Sequence, residues 1–339
     1  MVEENDMTNR QTIVDYLKAI GIILVIIIHS NTKQELGLEK SIIYPFFIGL
    51  AVPFFMILSG YTFSISYSRW EKMQDMYKFK VLCPKIIRFL LPAVITIMIY
   101  ILINGVAGKS INMFDVWVMG IYGQGSYYCH LMIELIIIFP ILFQVMRKNL
   151  YAGLLLAGMG NVVFEIIVKY SSMSSTIYFR LIFRYMLIVA AGILIYFVRN
   201  KKPHWSLIIG SMVLGGIFIS IVTWWEYDDI FLKYYPEISL GVVFWCAPII
   251  RVMLYYLRNI QVHTLLGSAM SMVGKTSYHI LYTQMTYLYC FKPLQQIVLW
   301  RINPWVVLGI NILISIVLGV IFYKVETILR KKVSLLFAI

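Results

Sequence analysis

Charge is what this sequence has least of. Asp, Glu, Lys and Arg make up 13% of its 339 residues, against about a quarter in an ordinary soluble domain. That shortfall excludes a soluble globular fold. Cysteine is scarce too: Cys83, Cys129, Cys246 and Cys290 stand singly within or beside apolar runs. With no CxxC pair and no Cys/His metal spacing, neither a zinc site nor a disulfide framework is expected. There is no repeat at a solenoid period, no low-complexity tract and no RNA- or DNA-binding motif. The formal net charge of +13 therefore does not point to nucleic acid. Cations on membrane connections set topology and meet anionic headgroups instead. Met1 to Gln11 is polar and partly acidic, and no small-residue cleavage site follows the first apolar run. The first span is expected to be retained rather than removed as a signal peptide.

What the chain does have is hydrocarbon: 60% of residues are hydrophobic and the mean hydropathy is +0.81. Apolar runs of roughly 20 residues recur, the length a helix needs to cross a bilayer. Such runs require helices and exclude a β-barrel. The reading is an all-α polytopic membrane protein of about ten transmembrane helices, near 13–30, 42–66, 84–104, 127–146, 150–168, 178–198, 205–223, 237–257, 267–291 and 303–328. A single integral membrane domain is expected over 1–339, with 1–12 as a short cytoplasmic tail and no soluble accessory domain.

Orientation follows from the cations. Arg69, Lys72, Lys78 and Lys80, then Arg147 and Lys148, then Arg199, Lys201 and Lys202, then Arg258 and Arg330-Lys331-Lys332 fall on alternate connections. The connection from Trp224 to Glu237 carries Glu226, Asp228, Asp229 and Glu237 instead. Both termini are thus expected in the cytoplasm. Ser110 to Ser126 is too short to span, and Phe114, Trp117 and Tyr122 suit an interfacial helix on the outer face. Gly123-Gln124-Gly125 would give it a hinge, either as a surface connector or as a lid.

The first span holds the most informative pair. From Asp15 to Ser30 the chain is nearly all apolar except Lys18 and His29. Eleven residues are close to three helical turns, so the two share a face about 16 Å apart. Ionisable groups inside a span usually face a protein interior or a wet cavity. An imidazole suits proton abstraction near neutral pH; the plain alternative for a lone membrane His is a helix–helix hydrogen bond. Lys18, Lys85 and Arg88 belong near cytoplasmic ends of spans, where cations could hold phosphates or simply snorkel to lipid. Asp15, three residues before Lys18, is placed to orient it. Glu134 lies inside the fourth span with His130 one turn before it; it could polarise a His, bind sugar hydroxyls or make an internal ion pair. Arg180 and Arg184 are candidates for an acceptor or a developing oxyanion, or for structural pairing with Glu134. Tyr127 and Tyr128 could stack on a sugar face. Ser59 lacks the surrounding G-x-S-x-G of a nucleophile, and small residues in spans serve packing. His279 would border the cavity or only pack, and His204 and His263 fall on connections.

Taken in order, these residues form a pattern. Asp15-Tyr16-Leu17-Lys18 with His29, Pro53 through Ser59-Gly60-Tyr61, and Lys85-Ile86-Ile87-Arg88 with Pro92 come first. Ser126-Tyr127-Tyr128 through Pro140, Arg184 through Gly192, and Val273-Gly274-Lys275-Thr276-Ser277-Tyr278 follow. The set resembles the acyltransferase-3 family of integral membrane O-acyltransferases over nearly the whole chain. Lys18 and Lys85 stand where that family commonly has Arg, which keeps the charge and loses the bidentate fork. Gln284 stands where many relatives have His, and an amide does not titrate.

The resemblance implies transfer of an acyl group, expected to be acetyl, from cytoplasmic acyl-CoA to a hydroxyl of a cell-surface glycan or its lipid-linked precursor. His29 would be the base, with Glu134 beside it. Lys18, Lys85 and Arg88 would hold the phosphates, and Asp15, Arg180, Arg184, His130 and Tyr127 would serve the substrates. Acetyl-CoA is a donor substrate; no tightly bound cofactor and no metal are expected. The resemblance further implies a multi-pass bacterial plasma-membrane protein in contact with lipid and not with nucleic acid. Two other readings stay open: a proton-coupled transporter or glycolipid flippase using the same His, Glu and Arg, and an inactive membrane regulator. The paired broken helices of two related halves that a transporter would show are not found in the sequence.

Overall fold

A computed structural model describes residues 2–30, 32–123, 125–224, 240–258, 264–299 and 302–337. Among them every regular element is helical. The principal helices are α1 (Val2–His29), α2 (Ala51–Tyr67), α3 (Phe79–Val106), α4 (Tyr128–Lys148), α5 (Leu150–Tyr170) and α6 (Ser175–Arg180). They continue with α7 (Met186–Phe197), α8 (Trp205–Trp224), α9 (Val243–Tyr256), α10 (Leu265–Lys275), α11 (Ser277–Leu299) and α12 (Pro304–Phe337). Seven helical stretches among the described residues are long and apolar enough to cross a membrane, and Ile182–Phe197 and Leu240–Tyr256 are shorter apolar ones. In hydrocarbon each backbone N–H and C=O must be satisfied within the segment, so these runs are helical almost regardless of local propensity. Their outward faces are apolar: Leu207, Ile209, Val213, Leu214 and Ile217 of α8 are exposed, as are Leu313, Val317 and Ile321 of α12. The chain is an all-α, multi-pass membrane protein.

Two of the expected spans are not continuous. The one expected over 178–198 breaks at Leu181, whose backbone is extended (φ −80°, ψ 132°); a short 3-10 turn, Ile182–Tyr185, leads from there into α7. The break is stabilised because a carboxylate oxygen of Glu134 accepts the Ile182 N–H at 2.9 Å. The span expected over 267–291 divides at Thr276. There the hydroxyl donates back to the carbonyls of Met272 and Val273, the kind of side-chain competition that bends a helix. The span expected from 42 opens instead with a π-helical turn, Tyr44–Ile48. The expected tail 1–12 is the start of α1, which is helical from Val2.

The stretch between Ser110 and Ser126 contains a five-residue helix, Met113–Trp117, capped by Asn112. Phe114 and Trp117 are exposed, as an interfacial helix requires, whereas Tyr122 is buried with its ring 6.4 Å from that of Tyr100. The acidic residues expected between Trp224 and Glu237, together with Gln124 and His263, lie outside the described residues.

The chain divides into two compact units. The first comprises Met1–Ile13, Ile42–Phe89 and Tyr127–Ile260. Its centre is the crossing of α2 and α7. A Cβ on Gly60 would fall on the Val189 carbonyl, and one on Gly192 on the Ile57 carbonyl; the backbones touch because neither residue has a side chain. Tyr67, Phe139 and Phe143 are fully buried beside this crossing. The second unit comprises Val14–Ser41, Leu90–Ser126 and Gln261–Ile339. Here α11 packs on α12, where Gly319 admits Ile280. Gly274 of α10 lies directly on the Asp15 backbone of α1.

Candidate functional site

In the second unit, α1 runs unbroken from Lys18 to His29, so the two side chains share one stripe about 16 Å apart, as helix geometry requires. At the lower end Gly274 presses α10 onto the carbonyl of Asp15, which sets the position of the turn carrying Asp15 and Lys18. Both side chains are partly buried.

At the upper end His29 is the last residue of α1. Its Nδ1 lies 2.6 Å from the side-chain amide nitrogen of Gln284, a fully buried residue of α11. Terminal amides turn over readily, and Gln284 can present either its NH2 or its carbonyl to that ring nitrogen. The Cε1–Nε2 edge of the ring faces a turn: a Cβ on Gly125 would stand 3.2 Å from His29 Cε1 and 3.9 Å from Nε2. Gly125 has φ +88°, a conformation that costs any other residue strain. Just past the end of α1 lies a buried polar layer. Ser30 Oγ and Thr32 Oγ1 are 2.9 Å apart, Asn311 Nδ2 donates to Ser30 Oγ at 3.0 Å, and Tyr287 OH donates to Asn311 Oδ1 at 2.9 Å. Ser30, Thr32 and Asn311 are fully buried. The imidazole is therefore gripped at Nδ1 and closely approached along its Cε1–Nε2 edge, inside the unit rather than turned toward lipid.

On a reading in which the His29 ring is a reacting group, Gly125→Ala lowers turnover about tenfold, since a displacement of about 1 Å there costs up to about 10²-fold. The alanine brings unfavourable positive φ and a Cβ against the ring. Comparing kcat with melting temperature checks it: a fall in stability with kcat unchanged would mean that the turn matters only to folding.

The first unit holds the other residues singled out from sequence. Lys85 contacts the hydroxyl of Ser66 and lies over the Tyr67 ring, 4.6 Å from its centroid, and the Phe63 ring at 5.9 Å. It is held against α2. Arg88, one turn further along α3, is exposed. Glu134 spends one oxygen on the Ile182 N–H and has the Arg180 charge in electrostatic range. His130 stands one turn earlier on the same helix and is partly buried. Arg184 is fully buried, its guanidinium over the rings of Tyr178 at 4.2 Å and Phe179 at 4.8 Å. Tyr127 lies 6.1 Å from Phe179, ring to ring, with the Tyr185 phenol in electrostatic range. Ser59 lies close to the Tyr128 phenol.

His279 is buried in the second unit, edge-on to Phe322 and Tyr323. Its Nε2 is 3.5 Å from Glu326, which also pairs with Arg330. That places it in a structural network at the charged end of α12.

Sequence reasoning passed over Glu165 and did not foresee that Gln284 and Gly125 meet His29. Glu165, whose two oxygens each lie 3.0 Å from the Tyr178 hydroxyl and which has Arg184 in electrostatic range, was legible as a carboxylate inside a span. Gln284 carried only its motif position. Gly125 carried no signal of contact with His29.

Against known proteins, a family model described as an acyltransferase domain, acyltransferase-3, matches residues 12–324. No curated protein and no solved structure matched the chain.

Proposed function

Because this chain belongs to the acyltransferase-3 family, it is a membrane protein of an acyl-transferring family, and we propose that it moves an acetyl group from acyl-CoA to a glycan hydroxyl with His29 as the base. The observation that carries this reading is the grip on His29: Gln284 at Nδ1, 2.6 Å away, with the Nε2 edge toward the Gly125 turn. Transfer needs a proton acceptor at the attacking hydroxyl. When the Gln284 carbonyl accepts from Nδ1–H, the lone pair is left on Nε2. Nε2 takes the hydroxyl proton as the sugar oxygen attacks the thioester carbonyl. The tetrahedral intermediate then collapses, the C–S bond breaks, and the imidazolium returns the proton to the departing CoA sulfur. The acceptor of our reading is a cell-surface glycan or its lipid-linked precursor, and the setting a bacterial plasma membrane.

Lys18, Lys85 and Arg88 supply cations for the CoA phosphates in this reading. The roughly 16 Å from Lys18 to His29 is comparable to the length of an extended pantetheine arm. Asp15 steadies Lys18. Glu134, His130, Arg180, Arg184 and Tyr127 line or shape the acceptor side. Purified protein given radiolabelled acetyl-CoA and glycan should transfer label, and glycan NMR should show an acyl group that disappears from cells lacking the gene. Substrate flux across vesicles without any label transfer would favour the transporter reading instead.

Gln284 is assigned here as a positioning residue. Gln284→Leu should lower kcat about 10- to 100-fold through ring misplacement while leaving KM for acetyl-CoA unchanged. Gln284→Glu, which offers Nδ1–H a fixed acceptor, should recover most of the loss. Equal loss in both variants would show that the site needs the amide only for packing.

A further inference from the structure

Four cations converge in the first unit at a place the acyl-transfer reading does not use. Arg199 and Lys201, just past α7, line one narrow cleft with Arg251 of α9 and Arg258 just beyond it, floored by Tyr61 and walled by Tyr255. No carboxylate lines it, and none of the four cations forms an ion pair among the described residues. Like charges around a common cleft repel, and a bound anion removes that cost.

The aromatic neighbours prepare these groups for a ligand. The Arg199 guanidinium stacks 4.1 Å from the Tyr196 ring centroid and donates one N–H to the Tyr196 carbonyl at 3.0 Å. Arg258 lies 5.0 Å from the Tyr255 ring centroid. Stacking occupies the face of a guanidinium and leaves its in-plane N–H groups for a forked contact. Topology alone accounts for Arg199, Lys201 and Arg258, which sit on or near connections. It does not account for Arg251, which lies inside α9, more than a turn before its last residue. Nor does it explain why two separate segments bring their cations to one cleft.

We propose that this cleft is a phosphate-binding site, built from residues other than Lys18, Lys85 and Arg88. Arginine forks match phosphate oxygens, and each charge-assisted contact is stronger than a neutral hydrogen bond. The phosphate can belong to an anionic lipid headgroup or to the nucleotide end of the acyl donor. Only the second source rests on the acyl-CoA reading.

The test uses the full chain in detergent. Binding of 3′,5′-ADP is measured by calorimetry, and binding of phosphatidylglycerol is measured in mixed micelles against phosphatidylcholine. R251Q/R258Q should weaken one of these at least tenfold, and the probe affected identifies the source. R251K/R258K, which keeps charge and loses the fork, should fall between that variant and the parent. Size-exclusion profile and melting temperature are followed for each; if the double Gln variant does not fold, R258Q alone replaces it, with a loss of at least threefold expected. Unchanged binding of both probes in the folded Gln variant overturns the proposal. So does loss of 3′,5′-ADP binding in K85Q/R88Q but not in R251Q/R258Q with phosphatidylglycerol binding also intact; that result leaves the donor reading standing. Loss of neither in either variant overturns the cleft and counts against the cation assignments in the proposed function.

Discussion

His29→Ala is expected to lower acetyl transfer by about 10²- to 10⁴-fold, the range that a positioned acid–base group contributes. The fold should survive, because His29 ends its helix and the polar layer beside it closes through Ser30, Thr32 and Asn311 without the ring. The loss should therefore appear in kcat with little change in KM for acetyl-CoA. His29→Gln is the stricter variant, since it keeps a polar side chain toward Gln284 but cannot take up a proton at neutral pH. Label transfer at the parental rate in either variant removes His29 from the mechanism and leaves its contact with Gln284 as helix packing. Slow acetyl-CoA hydrolysis without acceptor, present in the parent and absent in both variants, would locate the defect in base catalysis rather than acceptor binding.

The second large effect is structural. Gly192→Leu should abolish stable expression, because even the Cβ would fall on backbone: the Ile57 carbonyl, with Gly60 Cα and Tyr61 N each at 2.9 Å. Overpacking a well-filled interior commonly costs about 1–3 kcal/mol, and the backbone atoms met here cannot rotate away as a side chain can. The larger side chain requires α2 and α7 to separate. Gly309→Ala is the contrast. It lies on α12 with nothing within 4 Å of the added Cβ, so it should be neutral or stabilising by up to about 1 kcal/mol through helix propensity. Melting temperature in detergent and yield of monodisperse protein read both. Equal yields for the two variants would mean that the α2–α7 crossing is not the core of the first unit.

The same contrast separates what a single sequence reveals from what it hides. A membrane class follows from composition, because about 20 apolar residues in hydrocarbon have one good backbone solution. The Lys18/His29 stripe follows too, since both residues belong to one helix and its pitch fixes their relation. Helix breaks at Leu181 and Thr276 were not legible: the side chains that stabilise them carry no Pro or Gly signal, and the first depends on Glu134, far earlier in the chain.

By itself, then, the sequence determined the solvent of this protein, its helical class, the stripe on α1 and the ordered motifs that its family match covers. Only the tertiary structure decided that Gln284 holds His29, that Gly125 closes on the ring, and that Arg251 joins Arg199 and Arg258 in one cleft. The physical reason is range. Hydrophobicity and helical pitch act within a segment and can be read residue by residue, whereas a contact between distant segments exists only once packing has chosen which faces meet.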